Sequence, residues 1–203
     1  PYGVPTDVYH PRSRDGLRQA FALNENDRAL LFVADRLANR RKGLEILASA
    51  LSKLPLRKGS RLVLFLIGSC GKQRTIGSHP VIHLGSMQRE ELMAAAYSAA
   101  DFFIMPSLQD NLPNTVLESL ACGTPVIGSD NGGIPEMVDE RVGTCVPPKD
   151  ADALLNGIRH VLGRRAACAQ RAAERARQRY GMERCVAAYA ALYARAVEEA
   201  GNG

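Results

Sequence analysis

Several features that would name a class at once are missing from this 203-residue sequence. No apolar run approaches the roughly 18–20 residues a membrane span needs, and the first residues lack the charged-then-apolar order of a secretory signal. A soluble, cytoplasmic chain is expected. The five cysteines (Cys70, Cys122, Cys145, Cys168, Cys185) are an odd set without a C-x-x-C pair, which disfavours a disulfide framework and a zinc site and predicts reduced, mostly buried thiols. The four histidines, at positions 10, 79, 83 and 160, have no metal-ligand spacing, and no acidic cluster stands at a strand end, so no metal is assigned. There is also no G-x-G-x-x-G after an early strand with an acid about 20 positions later, so a Rossmann-type oxidoreductase or epimerase lacks its fingerprint. GSCG (68–71) is too short to replace it, and no internal repeat or low-complexity tract is present.

What is present bounds the answer further. With 46% hydrophobic residues the chain can bury one sizeable core, not two large ones. The formal net charge is +5, with much of the excess arginine in RLANRRK (36–42) and between Arg164 and Arg184, which favours anionic partners. Arg171, Arg175 and Arg179 recur every four residues and would stripe one helix face, a pattern suited to anionic lipid or nucleic acid. Without interleaved aromatics the stripe reads as a solvated face. No nucleic-acid partner is assigned, and peripheral contact with the inner membrane surface stays compatible.

Apolar, strand-length runs occur at 29–35, 61–68, 81–85, 101–106, 125–130 and 143–148, most of them continuous rather than alternating, as in strands covered on both faces. Helix-like segments lie between them: KGLEILASALSKL, REELMAAAYSAA, NTVLESLAC and the short GIPEMV. Strand and helix in alternation imply an α/β fold, a Rossmann-like parallel sheet with helices on both faces. The opening PYGVPTDVYHPRSRDG has no period and reads as a connector. From Asp150 onward the chain reads as helical in three segments, the last of which places Val186, Tyr189, Leu192, Tyr193 and Val197 on one face.

In open sheets of this kind ligands bind outside the carboxyl ends of the strands. There the run DFFIMP is followed by SLQDNLP and the helix NTVLESLAC, whose first amides and dipole suit a phosphate. Asp110 lies in the loop and Glu118 just over one turn into the helix. By spacing alone Asp110 reads as a cap and Glu118 as a solvated helix residue.

The wider pattern, PSLQDNLPNTVLESLACGTPVIGSDNGGIPEMV, resembles the donor-binding signature of glycosyltransferase family four, retaining enzymes of the GT-B architecture with two Rossmann-like domains. The family's hallmark is two glutamates with seven residues between them, then A-C-G-x-P-V and G-G-x-x-E. Here Asp110 replaces the first glutamate, Glu118 matches the second, and ACGTPV and GGIPE stand unchanged. PYGVPTDVYHP resembles the interdomain linker, DRLANRRKGLEIL the phosphate-binding segment, and HLGSMQREELMAAAYSAADFFIMPS the base-binding loop with the strand that follows.

The resemblance implies a division into linker (1–16), Rossmann-like nucleotide-sugar domain (17–165) and C-terminal helices (166–203) that pack on it and towards an N-terminal, acceptor-holding domain. It implies a hexosyltransferase whose nucleotide-diphosphate sugar is gripped by Lys42 and by Arg36, or by Arg40 or Arg41 in its place, since five residues separate Arg36 from Lys42 where the family has four. Glu118 would hold the ribose hydroxyls, and Asp110 would be the catalytic acid nearest the transferred sugar. The amides of Asn111, Leu112 and Asn114 would face the diphosphate, because Pro113 has none to offer. Met87 and Arg89 would contact the base, or else form a simple turn. No cofactor is implied, and positive charge fixed by the protein would replace a metal. Taken by itself, the chain is expected to be inactive or weakly active.

Overall fold

The computed structural model describes residues 2–55, 61–69 and 74–201. Cys70 and Gly71 of GSCG lie outside them. Seven strands, β1 (Arg28–Arg36), β2 (Leu62–Ser69), β3 (Thr75–Ile76), β4 (His79–Gly85), β5 (Phe102–Met105), β6 (Val126–Ser129) and β7 (Gly143–Val146), form one sheet in the order β3-β4-β2-β1-β5-β6-β7. All neighbours are parallel except the two-residue edge strand β3, which pairs antiparallel with β4 and has no counterpart among the runs read from the sequence.

The continuous apolar runs are explained by how the strands divide their side chains. Ala29, Leu31, Val63, Phe65, Phe103 and Val126 enter one core layer, while Leu30, Phe32, Leu64, Phe102, Ile104 and Ile127 enter the other. Alternate residues point to opposite faces, and both faces are covered, so neither position tolerates a polar residue. Helices α1 (Arg14–Ala20), α3 (Glu90–Ala99), α4 (Asn114–Ala121) and α5 (Ile134–Met137) belong to the first side; α2 (Leu44–Ser52) covers the second. Helix α1 begins at Arg14, inside the stretch read as a connector.

The C-terminal part differs from the reading in three segments. Helix α6 is a single element from Ala151 to Tyr180, 30 residues long, and α7 follows from Met182 to Gly201. The Asp150 carboxylate caps α6 by accepting from the amides of Asp152 (3.0 Å) and Ala153 (2.8 Å). Gly163, which falls between the first two of the three segments (DADALLNGIRHVL and RRAACAQRAAERARQRY), lies inside the helix. The first half of α6 packs Leu154, Leu155, Ile158 and Val161 on the α2 side, and its second half packs Ala172 and Ala176 on the other, so the helix wraps the lower edge of the sheet. The chain leaves helical geometry at Gly181, where Val4 donates to the Tyr180 carbonyl (2.7 Å) and Met182 donates to the Val4 carbonyl (3.1 Å). The opening segment thereby pins the α6–α7 joint. Beyond it Val186, Tyr189, Leu192, Tyr193 and Val197 of α7 are all exposed.

Candidate functional site

The strand order reverses at β1, which has β2 on one side and β5 on the other. The segments leaving β1 and β5 therefore run to opposite faces, and a crevice opens beyond their carboxyl ends. After β1 the chain makes a 3₁₀ turn, Arg40–Lys42, whose first amides are served by the Asn39 side chain accepting from the Arg41 amide at 3.1 Å. Gly43 then takes a left-handed conformation, φ 78°, before α2 begins. A Cβ at this position would run into the Pro106 carbonyl oxygen. Close approach without a side chain, together with the Leu108 amide donating to the Arg41 carbonyl (2.7 Å), fastens this turn to the segment that leaves β5.

That fastening brings two of the predicted residues into contact. Lys42 Nζ lies 2.9 Å from Asp110 Oδ2, with the two side chains only 19% and 15% exposed. The loop carrying Asp110 is seated from below by the paired glycines. Asn131 donates through Nδ2 to the Ser107 carbonyl (2.7 Å), and the Gly133 amide donates to the Asn111 carbonyl (2.6 Å). At Gly132, with φ 53°, any Cβ would meet the Asp110 carbonyl oxygen, and at Gly133 the Leu112 side chain. The glycine pair thus allows two loops to touch.

The three loop amides expected to face a phosphate are not alike. The Asn111 amide donates to the Asp110 carboxylate at 3.2 Å, and Leu112 packs on Gly133. Asn114 is exposed and opens α4, which no side chain caps; its N-cap is Pro113, whose ring has nothing to donate. Glu118 sits about 6 Å further along α4, four residues at about 1.5 Å each. Tyr97 Oη donates to Glu118 Oε2 at 3.1 Å. Burial lifts the Glu118 carboxyl above its ordinary range; the Tyr97 hydrogen bond opposes this, and the charge of Glu90 adds to it. Tyr97 is fully buried, edge-on to Phe103 and Tyr9, so its hydroxyl has one fixed direction.

The remaining predicted residues are placed around this centre. Arg36 ends β1 and is exposed, as are Arg40 and Arg41. Arg40 is occupied by Glu45 at 3.5 Å on the open surface, leaving Lys42 as the cation of the basic run turned to the loop. Met87 is partly buried against the core on the α3 side, and Arg89 caps α3 with its guanidinium exposed and 3.8 Å from Glu91. Both follow β4, two strands from β1, and no hydrogen bond or ion pair ties them to the Lys42–Asp110 pair.

Three contributors were not legible in the sequence. Tyr97 holds Glu118, Asn131 staples the acidic loop, and Asp35 is held below the usual carboxylate range by the Arg36 amide and the nearby Asn39 and Lys42. Tyr97 carried one faint signal, as the single aromatic of α3. Among the described residues no group of three histidines, cysteines or acids gathers as a metal site, and no helix is long and apolar enough to cross a membrane.

Residues 27–164 match the family described as glycosyl transferases group 1. D-inositol 3-phosphate glycosyltransferase of Mycolicibacterium smegmatis is 32% identical over 210 residues, which cover 97% of this chain and 47% of the relative. Sulfoquinovosyl transferase SQD2 of Arabidopsis thaliana is 29% identical over 167 residues, 79% of this chain and 32% of the relative. Among solved structures, sucrose-phosphate synthase from Thermosynechococcus elongatus superposes with a TM-score of 0.83 at 28% identity, covering 98% of this chain and 52% of that one. Alr3699/HepE of Anabaena, solved in complex with UDP and glucose, has the same fold, with a TM-score of 0.77 at 22% identity over 95% of this chain and 55% of that one. The chain spans about half the length of most of these relatives and a third of the plant one.

Proposed function

Because the chain belongs to the glycosyl transferases group 1 family, we propose that it is the donor-binding half of a retaining glycosyltransferase of family four, taking a nucleotide-diphosphate sugar and passing the sugar to an acceptor held by a preceding N-terminal domain. The observation that carries this is the Lys42–Asp110 pair, 2.9 Å apart at the switch point with the uncapped start of α4 beside it. Departure of a nucleoside diphosphate builds negative charge on phosphate oxygens, and a fixed ammonium and free helix amides stabilise that charge without a metal. In this reading Lys42 exchanges Asp110 for the diphosphate when the donor arrives. Asp110 is then released towards the transferred sugar, where it offsets positive charge at the anomeric carbon, and Glu118, aimed by Tyr97, accepts from the ribose hydroxyls. The half-length match and the exposed apolar face of α7 support a domain missing from this chain.

A thermal-shift panel of UDP, GDP, ADP and their sugar conjugates tests the proposal. One diphosphate should raise the melting temperature in a saturable way, its sugar conjugate should do the same, and Glu118→Gln should weaken the response. A chain that responds to NAD and to none of these diphosphates would sink the reading, as would efficient turnover on a defined acceptor by this chain alone.

The raised carboxyl of Glu118 gives the pH dependence a sign. An ionised carboxylate accepts from hydroxyls more strongly than a neutral carboxyl, so binding of the preferred nucleotide should weaken on the acid side beginning above the ordinary carboxylate range. Tyr97→Phe removes the hydrogen bond that favours the ionised form, so the acid limb should move to higher pH by several tenths of a unit, since the lost bond is worth about 1 kcal/mol and a full unit is about 1.4 kcal/mol. Calorimetric affinities across mildly acidic to neutral pH measure this, and an unmoved limb would separate Tyr97 from the role given to Glu118.

A further inference from the structure

A second cleft lies at the opposite end of the sheet. It is about 580 Å³ in volume, within the range of small-molecule sites, and lies between the opening segment, the end of α4 and the middle of α6. Its position follows from Asp101, the residue before β5, and Gly123, just past α4: both stand at the amino ends of strands. The four residues of β5 at about 3.3 Å each put it roughly 13 Å from the Lys42–Asp110 crevice.

Charge in this cleft is unbalanced. The buried Asp101 carboxylate already accepts from the Ala29 amide (2.7 Å), Arg14 (2.8 Å) and Arg18 (3.2 Å), which also serve the carbonyls of Ala99 and Ala100, Asn24 and Asp27. These contacts account for Arg14 and Arg18 as structural. Arg165 is then a third guanidinium on the same carboxylate, its Nε 3.3 Å away but without a hydrogen bond to any group. Among the described residues Arg12 reaches only the Val8 carbonyl (3.0 Å), and the Nε groups of Arg12 and Arg14 are also buried without partners. Arg12 and Arg177 line the cleft with no carboxylate in ion-pair range among the described residues; Glu174 is the acid on the rim. Burial and the neighbouring Arg14 push the Arg165 guanidinium down to about 10, the signature of positive charge crowded out of water. Apolar walls come from Tyr9, Ala121 and Ala169.

We propose that this cleft is a second anion site, distinct from the donor crevice, that takes the phosphate or diphosphate group of a small soluble molecule between Arg12, Arg165 and Arg177. Planar guanidiniums with spare N–H groups suit phosphate oxygens. The concave shape suits a small molecule better than a flat lipid surface, and the apolar walls leave room for the body of an ester. The site stands whether or not the donor reading does.

Pyrophosphate and inorganic phosphate, followed by backbone amide NMR on the whole chain, test it. In Lys42→Ala, where the donor crevice has lost its cation, pyrophosphate should still shift the amides of Gly123 and Ala169, and should bind more tightly than phosphate. Arg12→Gln with Arg177→Gln should weaken that response at least tenfold while leaving shifts around Gly43 in the parent sequence. Arg177 is exposed and Arg12 bonds one carbonyl, so the pair should fold, and Arg177→Gln alone serves if the double variant does not. Shifts confined to the surroundings of Gly43, or an affinity unchanged by either variant, would overturn the proposal.

Discussion

Replacing Lys42 with alanine is expected to weaken binding of the preferred nucleoside diphosphate about 100-fold. A hydrogen bond to a charged group contributes about 1.5–3 kcal/mol, or roughly 10–150-fold. Here the loss has a second part: Asp110, 2.9 Å from Lys42 and largely shielded, is left facing the incoming diphosphate without a counter-charge. Stability should fall as well, because Asp110, only 15% exposed, is left without its counter-charge. Asp110→Asn separates the two parts. It frees Lys42 and removes the like charge, so nucleotide should bind more tightly than to the parent chain, whereas transfer by an enzyme carrying both domains should fall. Calorimetry with UDP, GDP or ADP, whichever the panel selects, gives both affinities. Equal affinities for the parent, Lys42→Ala and Asp110→Asn would remove this pair from the donor site.

How far the sequence carried the site depends on which interactions are local. The alternation of apolar runs and helices placed the sheet, because burial on both faces dictates those runs residue by residue. Lys42, Asp110 and Glu118 were singled out by the resemblance to glycosyltransferase family four, since spacing alone makes Asp110 a cap and Glu118 a solvated helix residue. The choice of Arg36, Arg40 or Arg41 as the companion of Lys42 could not be made, since it depends on Glu45 facing Arg40 and on the Leu108–Arg41 bond that ties the turn to the segment leaving β5. Tyr97 and Asn131 were invisible for a similar reason: their partners, Glu118 and Ser107, lie 21 and 24 residues away in sequence. Gly163 misled in the other direction. Glycine disfavours a helix interior by only about 1 kcal/mol, and a helix packed on both layers of the core overrides that. The surplus of arginine was read as a stripe at 171, 175 and 179, where Arg175 is in fact paired with Asp139 at 2.7 Å, while the more crowded cluster forms between distant segments around Asp101.

Gly43→Ala should be strongly damaging to the crevice. The backbone there is left-handed, φ 78°, which costs a residue with a side chain about 1–2 kcal/mol. The new methyl group also runs into the Pro106 carbonyl, a backbone atom that cannot turn aside as a flexible side chain would. Overpacking of that kind adds about 1–3 kcal/mol, so a total near 3 kcal/mol is expected, a fall in melting temperature of roughly 6–12 °C for a chain of this size. The same displacement moves the 3₁₀ turn away from β5, stretches the Leu108–Arg41 hydrogen bond and pulls Lys42 off Asp110, so nucleotide affinity should fall with stability. Gly163→Ala is the control of opposite sign. Its added Cβ meets nothing within 4 Å and its backbone is helical, so alanine should stabilise α6 by about 0.5–1 kcal/mol. Thermal melts of the two variants, with and without the preferred nucleotide, decide the matter. A Gly43→Ala chain that melts with the parent and binds nucleotide equally well would mean that the close approach of the two strand-end loops does not set the position of Lys42.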